Sequence, residues 1–360
     1  MKIIHLLEPG HAIPWILDLV LEQQRLGHDC EIVVMSVDSG MESAAAKNAV
    51  RFKALLNNRT SFLKWALNLR RNKLNDTILI AHGFKPSLFC NFFVFSKVKT
   101  WVWHHHQPFY FELSQHINRS KKFLLIFLNK WSLIASNKII SNSLQTSQYL
   151  DFLGVPKSKI VQVPLGIRLA KESEKIPPFI DHLVDKPFIL MVGRLSWEKR
   201  YDLALDIFGR LSKDNKELHL LIAGDGPLLE TLKLHASNLG ISANVHFLGH
   251  VHYVPRLMEL CRLFLHTAVT ESYGQVIMEA VMAQAKVVTA TVGIAHELKY
   301  AGIPNFWLFQ SHDSREIAEL LTHVLNLKVT SITDEMSNSG IIERHLQKTA
   351  FSELNRKLTP

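Results

Sequence analysis

Two pairs of charged residues in the second half of the chain have types and spacing suited to holding a sugar attached to a phosphate. Arg194 and Lys199 lie in Gly193-Arg-Leu-Ser-Trp-Glu-Lys199, directly after the apolar run Phe188 to Val192. A planar guanidinium fork and a point-charge ammonium on one loop can grip a diphosphate, although either could also be ordinary surface charge. Glu271 and Glu279 lie in Glu271-Ser-Tyr-Gly-Gln-Val-Ile-Met-Glu279-Ala280, between the apolar run Leu263 to Leu265 and a helix-compatible run from Val276 to Ala283. Gly274 and Gln275 then stand at a helix start, where free N–H groups and partial positive charge favour phosphate. Glu271 falls on the loop before that helix and Glu279 about one turn inside it, so both carboxylates can face one ligand. A carboxylate only accepts hydrogen bonds and suits sugar or ribose hydroxyls. The plainer alternative is a helix-terminal charge for Glu271 and a solvated helix position for Glu279.

A second candidate chemistry sits in the first half. Thr100 to Trp103 reads as a strand running into His104-His105-His106-Gln107-Pro108. Loops fed by strand ends are where parallel sheets place ligands. A neutral imidazole there can act as a general base or donate a hydrogen bond to sugar or phosphate. Metal binding is a competing use, but no Cys or carboxylate cluster stands nearby; structural loop histidines are another. If the strand continues, alternation puts His104 and His106 on one side and His105 on the other.

The elements that must position these residues follow an α/β pattern. Residues 2–7 read as a strand, residues 13–26 as a helix closed by Gly27, and Cys30 to Met35 as a second strand, which is a βαβ unit of a parallel sheet. Gly10 in the first turn is a lone glycine, so no dinucleotide fingerprint is present. Further strands are expected at Thr77–Ala81, Lys138–Ile140 and Lys159–Val163. Residues 168–186 are charged and proline-bearing and read as a linker. The pattern then restarts with strands at Phe188–Val192, Leu218–Ala223, Val245–Leu248, Leu263–Leu265 and Lys286–Ala290, and terminal helices at 314–326 and 339–358. The expected organisation is an N-terminal domain over 1–167, the linker 168–186, a C-terminal domain over 187–338, and a last helix over 339–360 that crosses back to the first domain.

Composition narrows the class. The chain has 360 residues, 47% of them apolar, and three widely spaced cysteines (Cys30, Cys90, Cys261), which form neither a disulfide framework nor a zinc pattern. The longest strongly apolar run, Phe123 to Leu128, is far too short to span a bilayer. The apolar start, Met1 to Leu7, is too short for a signal peptide. Together these suggest a cytoplasmic protein.

The net charge of +9 is uneven, +11 in residues 1–170 and −2 in the remainder, and residues 51–138 hold 15 basic and 2 acidic side chains. Such asymmetry points to an anionic partner. Residues 51–75 interleave Phe52, Leu55, Leu56, Phe62, Leu63, Trp65, Leu67 and Leu69 with seven basic residues, which reads either as a patch lying on an anionic membrane or as a crossover helix with a solvated basic face. Nucleic acid is not expected, because no recognised binding motif or stacking array accompanies the charge.

Four stretches carry a family resemblance: Gly193-Arg-Leu-Ser-Trp-Glu-Lys199, Ala223-Gly-Asp-Gly-Pro227, Phe247-Leu-Gly-His-Val251, and Glu271-x7-Glu279 with its Gly274. Weaker matches are Ser141-Asn-Ser143, Val163-Pro-Leu-Gly166 and Gly27-His28. In this order they resemble the glycosyl transferases group 1 family. That resemblance implies the GT-B fold, two Rossmann-like doubly wound α/β domains facing a central cleft. It implies retaining, metal-independent transfer of a sugar from a nucleotide-sugar to a glycan or lipid-linked acceptor, with no cofactor. Arg194 and Lys199 would contact the diphosphate, Glu279 the ribose, and Glu271 the donor sugar. Amides around Ser272, Tyr273, Gly274 and Gln275 would reach phosphate and sugar. Gly249 and Val251 would border the base, Gly224 and Gly10 would line ligand loops, and His106 is the preferred histidine beside the donor sugar. A nucleotide-sugar epimerase of the same fold and a catalytically idle binding subunit remain as alternatives. Three departures stand out: His11 beside Gly10, Ala285-Lys286-Val287 where the family has Gly-x-Pro, and a single glycine at Gly293.

Overall fold

The computed structural model describes residues 1–8, 14–35, 39–55, 64–65, 67, 77–93, 99–103, 118–167, 175–328 and 341–358. They form two compact units, one comprising Met1–Gly166 with Gln347–Pro360 and the other Ile167–Leu346.

In the first unit the strands are β1 (Lys2–Leu7), β2 (Asp29–Val34), β3 (Arg51–Ala54), β4 (Thr77–His82), β5 (Lys99–Trp103), β6 (Lys138–Ser141) and β7 (Ile160–Gln162), all paired parallel in the order β3-β2-β1-β4-β5-β6-β7. Helices α1 (Pro14–Arg25), α2 (Ser39–Lys47), α3 (Phe84–Phe93), α4 (Arg119–Ala135) and α5 (Leu144–Phe152) intervene. Such strands are covered on both faces, so they read as continuous apolar runs. In β1 five of the six residues are buried, and β4 is buried throughout.

Two histidines interrupt this apolar layer. His5 in β1 and His82 in β4 are both buried, with Nδ1 and Nε2 3.0 Å apart, and Gln23 Oε1 of α1 lies 2.8 Å from His5 Nε2. Burial lowers the His5 pKa to about 4 and holds His82 well below its usual value, with the neighbouring His5 adding to the effect on His82. A base whose folded pKa is depressed binds fewer protons folded than unfolded, so stability falls with acidification. The fall should run from about pH 6.5 to about pH 4 and cost up to about 3 kcal/mol for His5 alone. Chemical denaturation of the wild type across that window should show it, and a His82→Leu variant should show a shallower slope.

The second unit opens with α6 (Asp181–Val184) and contains β8 (Phe188–Val192), α7 (Tyr201–Asp214), β9 (His219–Ala223), α8 (Leu229–Asn238), β10 (Val245–Gly249), α9 (Val254–Leu260) and β11 (Leu263–His266). It continues through α10 (Gln275–Met282), β12 (Val287–Ala290), α11 (Ala295–Tyr300), β13 (Phe306–Phe309), α12 (Ser314–Asn326) and α13 (Ile341–His345). The sheet order is β10-β9-β8-β11-β12-β13, again all parallel. Chain order therefore reverses direction between β8 and β11, and open parallel sheets bind ligands beyond the carboxyl ends of the strands at that switch. The core joins Phe208, Leu205 and Ile207 of α7 to Leu220 and Ile222 of β9, and to Ile317 and Leu321 of α12.

Several expectations are corrected here. Residues 51–54 are a strand, and Leu55 (3% exposed) and Trp65 (7%) are buried among Ile4, Leu6, Leu79 and Cys90. The apolar members of the expected 51–75 patch are thus partly core; most of that stretch lies outside the described residues. The linker 168–186 is not plain linker: Pro178–Ile180 form a 3₁₀ turn leading into α6, with Ile180 and Leu183 buried. The last helix divides at Leu346, whose backbone bridges to Ile167, so α13 belongs to the second unit and α14 (Gln347–Leu358) to the first. No helix among the described residues is long and apolar enough to cross a membrane.

Candidate active site

The loops at the carboxyl ends of β8 and β11, either side of the switch, carry most of the charged residues singled out above. The β8 loop is held first by backbone. Gly193 N–H donates to Ala223 O (3.0 Å), Leu195 N–H to Asp225 O (3.0 Å), and Leu228 N–H to Leu195 O (3.1 Å), while Gly224 N–H donates to Gly249 O (2.8 Å). The three loops after β8, β9 and β10 are thereby joined main chain to main chain. Two glycines permit the approach. A Cβ on Gly224 would stand 1.9 Å from Gly193 O, and one on Gly226 2.5 Å from Leu195 O. Gly224 and Gly249 are thus loop-packing positions, whatever ligand contacts they also make.

The far end of this loop is held by the loop after β11. Thr267 Oγ1 donates to Lys199 O (2.8 Å) or Arg200 O (3.0 Å), and Val269 N–H to Glu198 O (2.9 Å). From behind, the Tyr201 hydroxyl donates to Gly193 O (3.0 Å). Between these anchors Lys199 Nζ meets Glu271 Oε1, while Arg194 is exposed, with no ion pair among the described residues.

Glu271 is the centre of the cluster. Its carboxylate accepts from Lys199 and from His266 Nε2 (3.1 Å), both on Oε1, and Oε2 takes no partner among the described residues. Burial opposes its ionisation, but the Lys199 charge and the His266 hydrogen bond outweigh burial and hold the carboxyl at about 2. Since a carboxylate cannot donate, the His266 proton resides on Nε2. Burial also lowers the His266 pKa, so its Nδ1 is an acceptor, 3.1 Å from the Thr289 hydroxyl of β12. The imidazole therefore spaces β11 from β12 and aims Glu271.

Glu271 leads directly to the helix start. Gly274 (φ 85°) precedes α10, and the Gln275 and Val276 amides, in its first turn, have no acceptor inside the helix. Tyr273 is buried and its O accepts from Ile294 N–H (2.7 Å). A Cβ on Gly293 would stand 2.2 Å from that same oxygen, so the one glycine kept in this loop is the one the packing requires. The Tyr273 phenol, pushed well above its usual pKa by burial, stays protonated, and its hydroxyl shares a hydrogen bond with His345 Nδ1 of α13. Glu279 is half-buried on α10, has no ion pair or hydrogen bond to a described residue, and burial raises its pKa. Ser272 and Gln275 are half-buried beside these groups, and Val251 follows β10 two residues after Gly249.

The structure thus brings together Lys199 and Glu271, with the α10 start adjoining, on the loops that also carry Arg194. Gly10 and His104 to His106 lie outside the described residues. His266, Thr267, Thr289 and His345 were not anticipated. A polar residue closing an apolar strand at a switch point was the available signal for His266. The Ala285-Lys286-Val287 departure also has a reason: Lys286 is buried and its ammonium donates to the Val324, Leu325 and Leu327 carbonyls, closing the end of α12 in place of a glycine-proline turn.

Residues 172–341 match the family model for Glycosyl transferases group 1, and residues 15–171 that for Glycosyltransferase Family 4. Over 111 residues the chain is 29% identical to the phosphatidylinositol N-acetylglucosaminyltransferase GPI3 subunit of Saccharomyces cerevisiae, covering 30% of this chain and 25% of that protein. Over 251 residues it is 25% identical to the chloroplastic digalactosyldiacylglycerol synthase 2 of Arabidopsis thaliana, covering 66% of this chain and 49% of the relative. The chain thus spans about a quarter to a half of the length of these curated relatives. The Anabaena HepE structure with UDP-glucose superposes with a TM-score of 0.81 at 19% identity, over 100% of this chain and 99% of that one. The fold is therefore GT-B, two parallel-sheet α/β units.

Proposed function

The chain belongs to the glycosyl transferases group 1 family, and we propose that it transfers a sugar from a nucleotide-sugar to a lipid-linked or cell-envelope glycan acceptor. The observation that carries this reading is the Lys199–Glu271–His266 cluster beside the start of α10. Departure of a nucleoside diphosphate builds negative charge on phosphate oxygens. Arg194, Lys199 and the α10 amides supply fixed positive charge for it, and such groups act most strongly once the charge has developed. Lys199 has protons left after meeting Glu271.

Glu271 Oε1 is occupied by Lys199 and His266, which leaves Oε2 to accept a donor-sugar hydroxyl. On this account Glu271 orients the sugar and does not attack it, and transfer retains anomeric configuration. Glu279, with no protein partner among the described residues, accepts from the ribose. Val251 and Gly249 border the base, His106 approaches the donor sugar, and no metal or cofactor is required. A HepE structure that holds UDP-glucose supports a nucleotide-sugar donor. Relatives named for phosphatidylinositol and diacylglycerol products support an acceptor at a bilayer. The protein would then work on the cytoplasmic face of a membrane.

The test is donor turnover with and without acceptor, followed by NMR of the product anomer. Consumption of a UDP-sugar only when a glycolipid acceptor is present, with an unchanged anomer and undiminished by EDTA, is the expected result. Donor consumption without acceptor would replace transfer by epimerisation, and nucleotide binding with no turnover on any acceptor would leave a binding subunit.

A further inference from the structure

Helix α4 (Arg119–Ala135) buries polar side chains and exposes large apolar ones. Asn129 and Ser132, with the C-cap residue Ser136, are buried beside Leu133. The Ser132 hydroxyl meets that of Ser87 on α3 at 2.6 Å, and Asn91 Nδ2 lies 2.8 Å from Ser132 O and 3.1 Å from Ser136 Oγ. Its outer face is apolar. Phe123 is 74% exposed, Phe127 58% and Leu124 54%, with Ile134 also exposed. Phe123, Phe127 and Ile134 fall on one stripe at helical spacing, with Leu124 alongside. Phe92 of α3, itself exposed, packs its ring 4.7 Å from that of Trp131 and widens the patch. A water-facing helix of a globular unit shows the opposite arrangement, and a contiguous exposed apolar patch marks an interaction surface.

The charge on this helix says what covers the patch. On a helical projection Lys130 borders one edge of the stripe and Lys121 the other, and both are exposed. No acidic residue occurs from Arg119 to Lys138. Lysines flanking an apolar stripe can keep their ammonium groups among lipid phosphates while the stripe sinks into the acyl boundary.

We infer that α4, with Phe92 of α3, is the surface by which this protein lies on an anionic lipid bilayer. The helix lies within residues 51–138, whose excess of basic side chains points to an anionic membrane surface, but outside the amphipathic stretch 51–75. The inference deepens the reading of a bilayer-borne acceptor, and its test uses no substrate.

The full chain is sedimented with phosphatidylcholine vesicles, with and without phosphatidylglycerol, at low and high salt. The wild type should pellet with the anionic vesicles and lose binding as salt rises. A Phe123→Ser, Phe127→Ser variant should keep the wild-type melting temperature, since both side chains are exposed, and bind roughly tenfold or more weakly. A Lys121→Glu, Lys130→Glu variant should lose the preference for anionic lipid. A wild type that stays in the supernatant, or a serine variant that pellets equally well, would overturn the inference. So would a wild-type dimer by light scattering that the serine variant converts to monomer without change in vesicle binding, because the patch would then be a contact between copies. Sugar-transfer activity enters none of these outcomes, so a wrong acceptor leaves the result intact.

Discussion

Lys199→Ala should lower kcat/KM for sugar transfer by roughly 10²–10³-fold, the usual effect of removing one fixed group aimed at developing charge. The residue combines two roles. Its ammonium is proposed to meet the departing diphosphate, and in the free protein it already holds Glu271 Oε1. Its removal leaves a buried carboxylate with only neutral His266 as a donor, so the orientation of the sugar-facing oxygen should loosen as well. Stability should fall too, by about 1–3 kcal/mol, because one partner of a largely buried pair is left uncompensated. Lys199→Arg should recover the stability better than the rate, since a planar fork cannot reproduce a point charge between carboxylate and phosphate. In a double-mutant cycle, Lys199→Ala and Glu271→Ala should lose far less together than the sum of the single effects. Steady-state kinetics and urea unfolding on the four proteins check this.

Gly224→Ala should be the most damaging small substitution in the C-terminal unit, costing about 3–5 kcal/mol or preventing folding. Its new Cβ would sit 1.9 Å from the Gly193 carbonyl oxygen, at a backbone φ of +145° that side chains rarely adopt. The obstacle is main chain, which cannot rotate aside. Any relaxation must push the β8 loop away from the β9 loop, displacing the segment that carries Arg194 and Lys199. Nucleotide affinity should therefore drop even if the variant folds. Gly240→Ala is the control, since Gly240 also has positive φ (+71°) but nothing lies within 4 Å of its Cβ position. It should cost only the conformational strain, about 1 kcal/mol, and leave nucleotide affinity unchanged.

Much of the fold was legible because parallel strands buried on both faces leave near-continuous apolar runs, and β1, β8, β9 and β12 read this way despite His5, His219 and Thr289. β3 was not, because its four residues open the longer basic and apolar stretch 51–75, which reads as one amphipathic segment, and only pairing with β2 sets them apart. β13 (Phe306–Phe309) was passed over because it is short and only its pairing with β12 distinguishes it from a buried loop. At the candidate site, Arg194, Lys199, Glu271 and Glu279 stand out in the sequence because each belongs to a local pattern of type and spacing. His266 and Thr289 were missed because their function is a contact between β11 and β12, which no local window contains. Gly224 was read as lining a ligand loop; the structure adds a packing reason that only the neighbouring loop reveals. The polarity of α4 was hidden for a related reason. Its serines and asparagine look like a solvated face until Ser87 and Asn91 are seen against them.

Titration calorimetry of UDP into the wild type, Arg194→Ala and Glu279→Ala tests the central claim most directly. The account predicts that UDP binds the wild type, that Arg194→Ala weakens binding by about tenfold or more through the lost diphosphate contact, and that Glu279→Ala weakens binding of UDP but not of inorganic pyrophosphate. Equal affinities for all three proteins, each folded by its melting temperature, would contradict a nucleotide-sugar site on the β8 and β11 loops.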